Sequence, residues 1–275
     1  MREPRLATLL EVQRAYDHSG GGMLTASLAF FAFFTVVPTL LLLTSLVGFA
    51  VADAGLRADV IGRLVEQVEP LEPVAQAIVD GLADSARTGT IIGVLGLLWG
   101  AAGFYGALEG AMLRMFPGPR ARDAVTMRVR GIIAVVLVLM GMIVTVVLTL
   151  AVPVVTSVLG IDLGAASIVG APIVACMTAT VAALVVYLAV PPDRPSLRAA
   201  VTPAIVAGVA IGLLTSLFSF VAPYLVSSYV ALGTVVGGVF IALVWFNLVF
   251  QILLYGAAFA RLRRDAERRA VGPRL

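Results

Sequence analysis

The sequence has no lysine, one histidine and one cysteine, and only 13% of its 275 residues are charged. Each scarcity excludes something. The lone cysteine, Cys176, closes no intrachain disulfide. One cysteine and one histidine, His18, build neither a zinc site nor a Cys/His nucleophile pair. Without lysine there is no Gly-rich phosphate loop ending in Lys. The shortage of charge says most, because soluble domains carry roughly a quarter charged residues. Here 60% of residues are hydrophobic and the mean hydropathy is +1.05. The apolar residues come in runs long enough to cross a bilayer, with most charges between them. The chain therefore reads as an integral membrane protein, with no stretch between runs long enough for a separate globular core.

The expected fold class is all-α, a polytopic membrane protein with six transmembrane helices and both termini cytoplasmic. The domain plan is a cytoplasmic amphipathic arm over 1–22, a transmembrane domain over 23–260 and an Arg-rich cytoplasmic tail over 261–275. In the arm, Leu6, Leu9, Leu10, Gln13 and Tyr16 recur at helical spacing opposite Arg5, Glu11 and Arg14, as in a helix lying on a membrane surface. A signal peptide is rejected because the next apolar run is too long and no small-residue cleavage site follows. Gly20, Gly21 and Gly22 are read as an elbow. The spans are expected at Met23–Ala50, Thr90–Leu113, Gly131–Leu150, Ile168–Val190, Ala199–Val226 and Gly233–Ala260. Pro38, Pro203 and Pro223 are candidate kinks, while Pro153 and Pro172 flank the connection between spans 3 and 4. The outside loop, 51–89, is expected to hold two short amphipathic helices separated by Pro70 and Pro73.

Arginine sets the orientation. Alternate connections hold 16 of the 19 arginines: three in the arm, five in 114–130, two in 191–198 and six in the tail. The other side has only Arg57, Arg63 and Arg87, beside seven acids. By the positive-inside rule the Arg-rich side is cytoplasmic, and six spans put both ends there. The net charge of +3 is thus a matter of topology and implies no nucleic acid.

Several stretches occur in a recognisable order. Span 1 holds Ala26-Ser-Leu-Ala-Phe-Phe-Ala-Phe-Phe-Thr-Val-Val-Pro38-Thr-Leu; span 2 holds Gly106-Ala-Leu-Glu109-Gly-Ala. Tyr229-Val-Ala-Leu-Gly233-Thr, Leu243-Val-Trp245-Phe and Gln251-Ile-Leu-Leu-Tyr-Gly256-Ala257 follow. Across essentially the whole chain this resembles the YihY / virulence factor BrkB family of bacterial inner-membrane proteins. The resemblance implies a multi-pass inner (cytoplasmic) membrane protein of six helices with cytoplasmic termini. Members of that family have been linked to ribonuclease activity, serum resistance, and transport of lipids or small molecules. The chain departs from the pattern at Ala258, where an acid is common, at Leu232 for a Tyr and at Leu113 for an Asn.

Few residues offer chemistry. Gly93, Gly96, Gly100, Gly103, Gly106 and Gly110 share one face of span 2. They are read as a helix-packing surface, against the alternative of a backbone-lined groove. Glu109 is the one carboxylate inside a span, where a charge costs on the order of 3 kcal/mol at mid-depth. It either snorkels or pairs with Arg114, or serves a proton- or substrate-linked role. Asn247 and Gln251 lie one turn apart, as interhelical glue or as the wall of a polar cavity. Glu109 and Gln251 are candidates for one cytoplasm-facing path. Thr215, Ser216 and Ser219 bond back to their own helix as readily, and Trp245 and Tyr255 read as packing or interface anchors.

No catalytic set, metal site or cofactor is expected, and no domain exists to build an RNA cleft. The expected function is a transporter or lipid-handling protein of unidentified substrate. The alternative is a non-transporting envelope or scaffold protein; an enzyme is the last choice. Membrane lipids are the expected partners, a transported molecule and an oligomer stay open, and nucleic acid is not expected.

Overall fold

The computed structural model describes residues 4–50, 86–117, 164–228 and 234–271. All regular structure among them is helical: α1 (Pro4–His18), α2 (Gly21–Ala50), α3 (Ala86–Met115), α4 (Gly164–Ala189), α5 (Leu197–Ser228) and α6 (Thr234–Val271). The expected third span and almost all of the outside loop lie outside the described residues. Five helices fall on expected spans or the arm to within a few residues. The sixth differs: α6 continues past Ala260 to Val271, so most of the Arg-rich tail is helix.

Helices suit these residues because hydrocarbon leaves backbone groups no partner but their own helix. Windows within α4 (Pro172–Ala189), α5 (Leu197–Phe218) and α6 (Val236–Ala270) are long and apolar enough to cross a membrane. Thr8–His18 and Gly21–Val36 pass the same test as a pair bent by 67°. The bend is at Gly20, whose φ of 72° is one that side-chain-bearing residues rarely adopt. Its N–H donates to the Asp17 carbonyl at 3.0 Å, closing the last turn of α1. The elbow is therefore Gly20 itself; Gly21 and Gly22 already belong to α2.

Other helix ends have local causes. Pro191 and Pro192 stop α4, and an Arg194 Nη2–H donates to the Ala189 carbonyl at 3.1 Å. Ser196 caps α5: its Oγ accepts the Ala199 N–H at 3.0 Å. The backbone stays helical through Pro38, Pro172, Pro203 and Pro223. Pro172 is thus internal to α4 instead of shaping a connection.

The described residues fall into two compact units. The first comprises 1–27, 105–215 and 249–275; the second comprises 28–104 and 216–248. In the first, Tyr187, Met112, Met115, Phe116 and Leu254 are fully buried. In the second, Leu28, Ala29, Ala32, Ile241 and Ala242 form the interior. Large apolar side chains face outward at one-turn spacing: Ile173, Met177 and Val181 on α4, Val236, Phe240, Val244 and Leu248 on α6. Faces of this extent are a liability in water and suit lipid.

Candidate functional site

Glycine sets how closely helices approach. In the second unit, α3 lays Gly96, Gly100 and Gly103 along α2. A methyl built on Gly96 would lie 2.8 Å from Pro38 Cγ. One on Gly100 would lie 3.1 Å from the Phe34 carbonyl oxygen and 3.1 Å from Thr35 Cα, and one on Gly103 would strike the Phe31 ring. Pro38 has no N–H, so the Phe34 carbonyl one turn earlier loses its helical donor. Gly100 therefore backs onto the carbonyl that the proline frees. The Thr35 and Thr39 hydroxyls donate to Phe31 and Thr35 carbonyls at 2.7 Å, tying the same stretch together. Gly106, in the first unit, is exposed, and a methyl there would meet nothing within 4 Å among the described residues.

A second glycine face, on α5, escaped the sequence reading. A methyl on Gly208 would strike the backbone of Thr180, and one on Gly212 would lie 2.8 Å from Cys176 Cα. The signal was present as Gly208-Val-Ala-Ile-Gly212, the four-residue spacing that lets membrane helices pack by backbone. On α6, Gly256 makes room for the Tyr187 hydroxyl, which donates to the Leu253 carbonyl at 2.7 Å.

The polar candidates are placed as follows. Glu109 and Gln251 belong to the first unit and Asn247 to the second, each half-buried. No side-chain hydrogen bond or ion pair with another described residue falls on any of the three. Glu109 does not pair with Arg114; the Arg114 carbonyl instead accepts the Ser19 hydroxyl at 3.3 Å. Trp245 packs against Phe218 and Phe246, and its indole N–H is buried with no hydrogen-bond partner among the described residues. Tyr255 stacks on Tyr16 with ring centroids 4.2 Å apart and donates to Gln13 Oε1 at 2.8 Å. The Tyr16 hydroxyl meets Thr25 Oγ1 at 3.0 Å. The arm is thus docked on α6 through its Gln13–Tyr16 face, while Leu9 and Leu10 face outward.

The main ionic cluster was also not foreseen. Asp193, in the turn between α4 and α5, accepts from Arg264 at 3.1 Å and from Arg268 at 2.6 and 2.7 Å. Arg264 is only 4% exposed; it also pairs with Asp265 at 2.8 Å and lies over the Phe116 ring, 5.5 Å from its centroid. The Ser196 hydroxyl donates to Glu267 at 2.6 Å beside it. Arg264 and Arg268 are thus spent on the protein itself. Among the described residues no cluster of His, Cys, Asp and Glu could hold a metal ion.

Apolar helices, outward apolar faces and glycine-mediated packing define a membrane protein of the all-helical kind. The family model described as "Virulence factor BrkB" matches residues 12–274, and the chain belongs to the BrkB virulence factor family. It is 28% identical to a "UPF0761 membrane protein" of Chromohalobacter salexigens over 279 residues. That match covers 98% of this chain and 66% of the relative, a little under two thirds of its length. No solved structure matches.

Proposed function

We propose that the chain is a six-span inner-membrane protein with both termini in the cytoplasm, and that it moves or handles a lipid or small molecule. One observation carries the functional half. Glu109, Asn247 and Gln251 are half-buried on apolar stretches of their helices, with no side-chain hydrogen bond to any described residue. Polar groups at membrane depth are costly when unsatisfied, and such residues mark pathways for ions or substrates in many membrane proteins. The Arg distribution supports the orientation. Glu109 and Gln251, in one unit, are the candidate path; Asn247 is a candidate in the other. Chemistry on a bound substrate is not part of the proposal, and neither is nucleic-acid binding.

The test is a flux and lipid-scrambling assay on reconstituted protein against empty vesicles. Activity above empty vesicles, altered in rate or pH dependence by Glu109→Gln in a folded variant, is the expected result. Wild-type protein that moves neither lipid nor solute would leave the scaffold reading. A working assay indifferent to Glu109→Gln would remove Glu109 from the path.

A further inference from the structure

The first unit holds an open recess of about 600 Å³ where α1 turns into α2, beside the end of α3 and the body of α6. Asp17, His18, Ser19 and Gly20 line it from the elbow, with Arg114 from α3 and Arg261 from α6. Among the described residues its cations are lightly partnered. The Arg114 guanidinium makes no hydrogen bond or ion pair with a described residue. It reaches to within 3.7 Å of where a Gly20 side chain would begin. Arg261 has one loose, half-exposed partner, Asp265 at 3.8 Å. This contrasts with Arg264 and Arg268, both held by Asp193.

The start of α2 adjoins the recess, because Gly20 lines it. The first α2 N–H bonded within the turn is that of Leu24, to the Gly20 carbonyl. The N–H groups of Gly21, Gly22 and Met23 therefore have no carbonyl of their own helix to bond. Gly20 offers no side chain to cap them, and the Ser19 hydroxyl is committed to the Ala15 and Arg114 carbonyls. The positive end of α2 thus adjoins a recess lined by two arginines and an imidazole. Asp17 is the opposing charge on the rim, and it already accepts from the Gln13 amide at 3.1 and 3.2 Å.

We propose that this recess binds a phosphate group, as carried by an anionic phospholipid headgroup or as the free ion. Planar guanidinium groups match phosphate oxygens in pairs, and the adjoining helix start favours their negative charge. That the recess meets the inner leaflet rests on the orientation proposed above; its preference for phosphate does not, nor does it require transport.

The full-length protein in neutral detergent is titrated with short-chain phosphatidylglycerol and, separately, with inorganic phosphate, reading the ligand-dependent rise in unfolding midpoint. Arg114→Gln and Arg261→Gln should each weaken binding about tenfold. The exposed controls Arg198→Gln and Arg269→Gln should leave it unchanged. Asp17→Asn should tighten it, a gain that misfolding cannot mimic and that keeps the test alive should either arginine variant fail to fold. This pattern with the lipid alone assigns a headgroup site; the same pattern with inorganic phosphate assigns a free-phosphate site, and both uphold the proposal. Recess and control variants that bind alike, or no binding of either probe, would overturn it.

Discussion

Tyr187 is 0% exposed, and its hydroxyl is anchored on the Leu253 carbonyl at 2.7 Å. Tyr187→Phe keeps the ring and deletes that bond, so it should cost about 1 kcal/mol, read as a lower unfolding midpoint in detergent. Asp193 carries more. Asp193→Asn removes the charge that Arg264 and Arg268 share, leaving Arg264 with Asp265 as its counter-charge and the residue 193 carbonyl, which it already reaches at 2.9 Å. Orphaning a buried charge outright costs about 3–5 kcal/mol, and the surviving Asp265 pair should reduce that to about 2–3 kcal/mol. Arg268→Gln, at a side chain 55% exposed, should change stability by less than about 1 kcal/mol. None of this cluster was legible in the sequence. Arginines in a basic tail look alike along the chain, and only the fold brings Asp193 within reach of residues 71 and 75 positions later.

Among elements, the described apolar helices were legible because hydropathy is a sum over many residues, and one misjudged position does not move it. Their ends were less so: α6 runs on to Val271 because Arg and Ala are good helix formers once lipid no longer selects against charge. Glycine faces were half legible. The α3 stripe was visible as a repeat, yet spacing alone does not say which members are covered. Gly100→Leu should push α3 off the Phe34 carbonyl and lower folded yield, since overpacking costs about 1–3 kcal/mol. Gly106→Ala, at an open position, should be neutral or stabilising by up to about 1 kcal/mol through helix propensity. Equal losses at both positions would contradict the division of the stripe.

At the scale of the whole molecule, the proposed function depends on which side of the membrane each connection occupies. Glu109, Gln251 and the recess near Arg114 belong to a cytoplasmic path and an inner-leaflet site only if the 114–130 connection and the tail face inward. Single cysteines placed in a Cys176→Ser background test this directly, with a membrane-impermeant thiol reagent applied to intact cells. Arg122→Cys and Arg269→Cys should be labelled only after the membrane is opened, and Glu69→Cys should be labelled from outside in intact cells. A cysteine at 69 protected until lysis, with one at 122 labelled from outside, would contradict the orientation and the functional reading built on it.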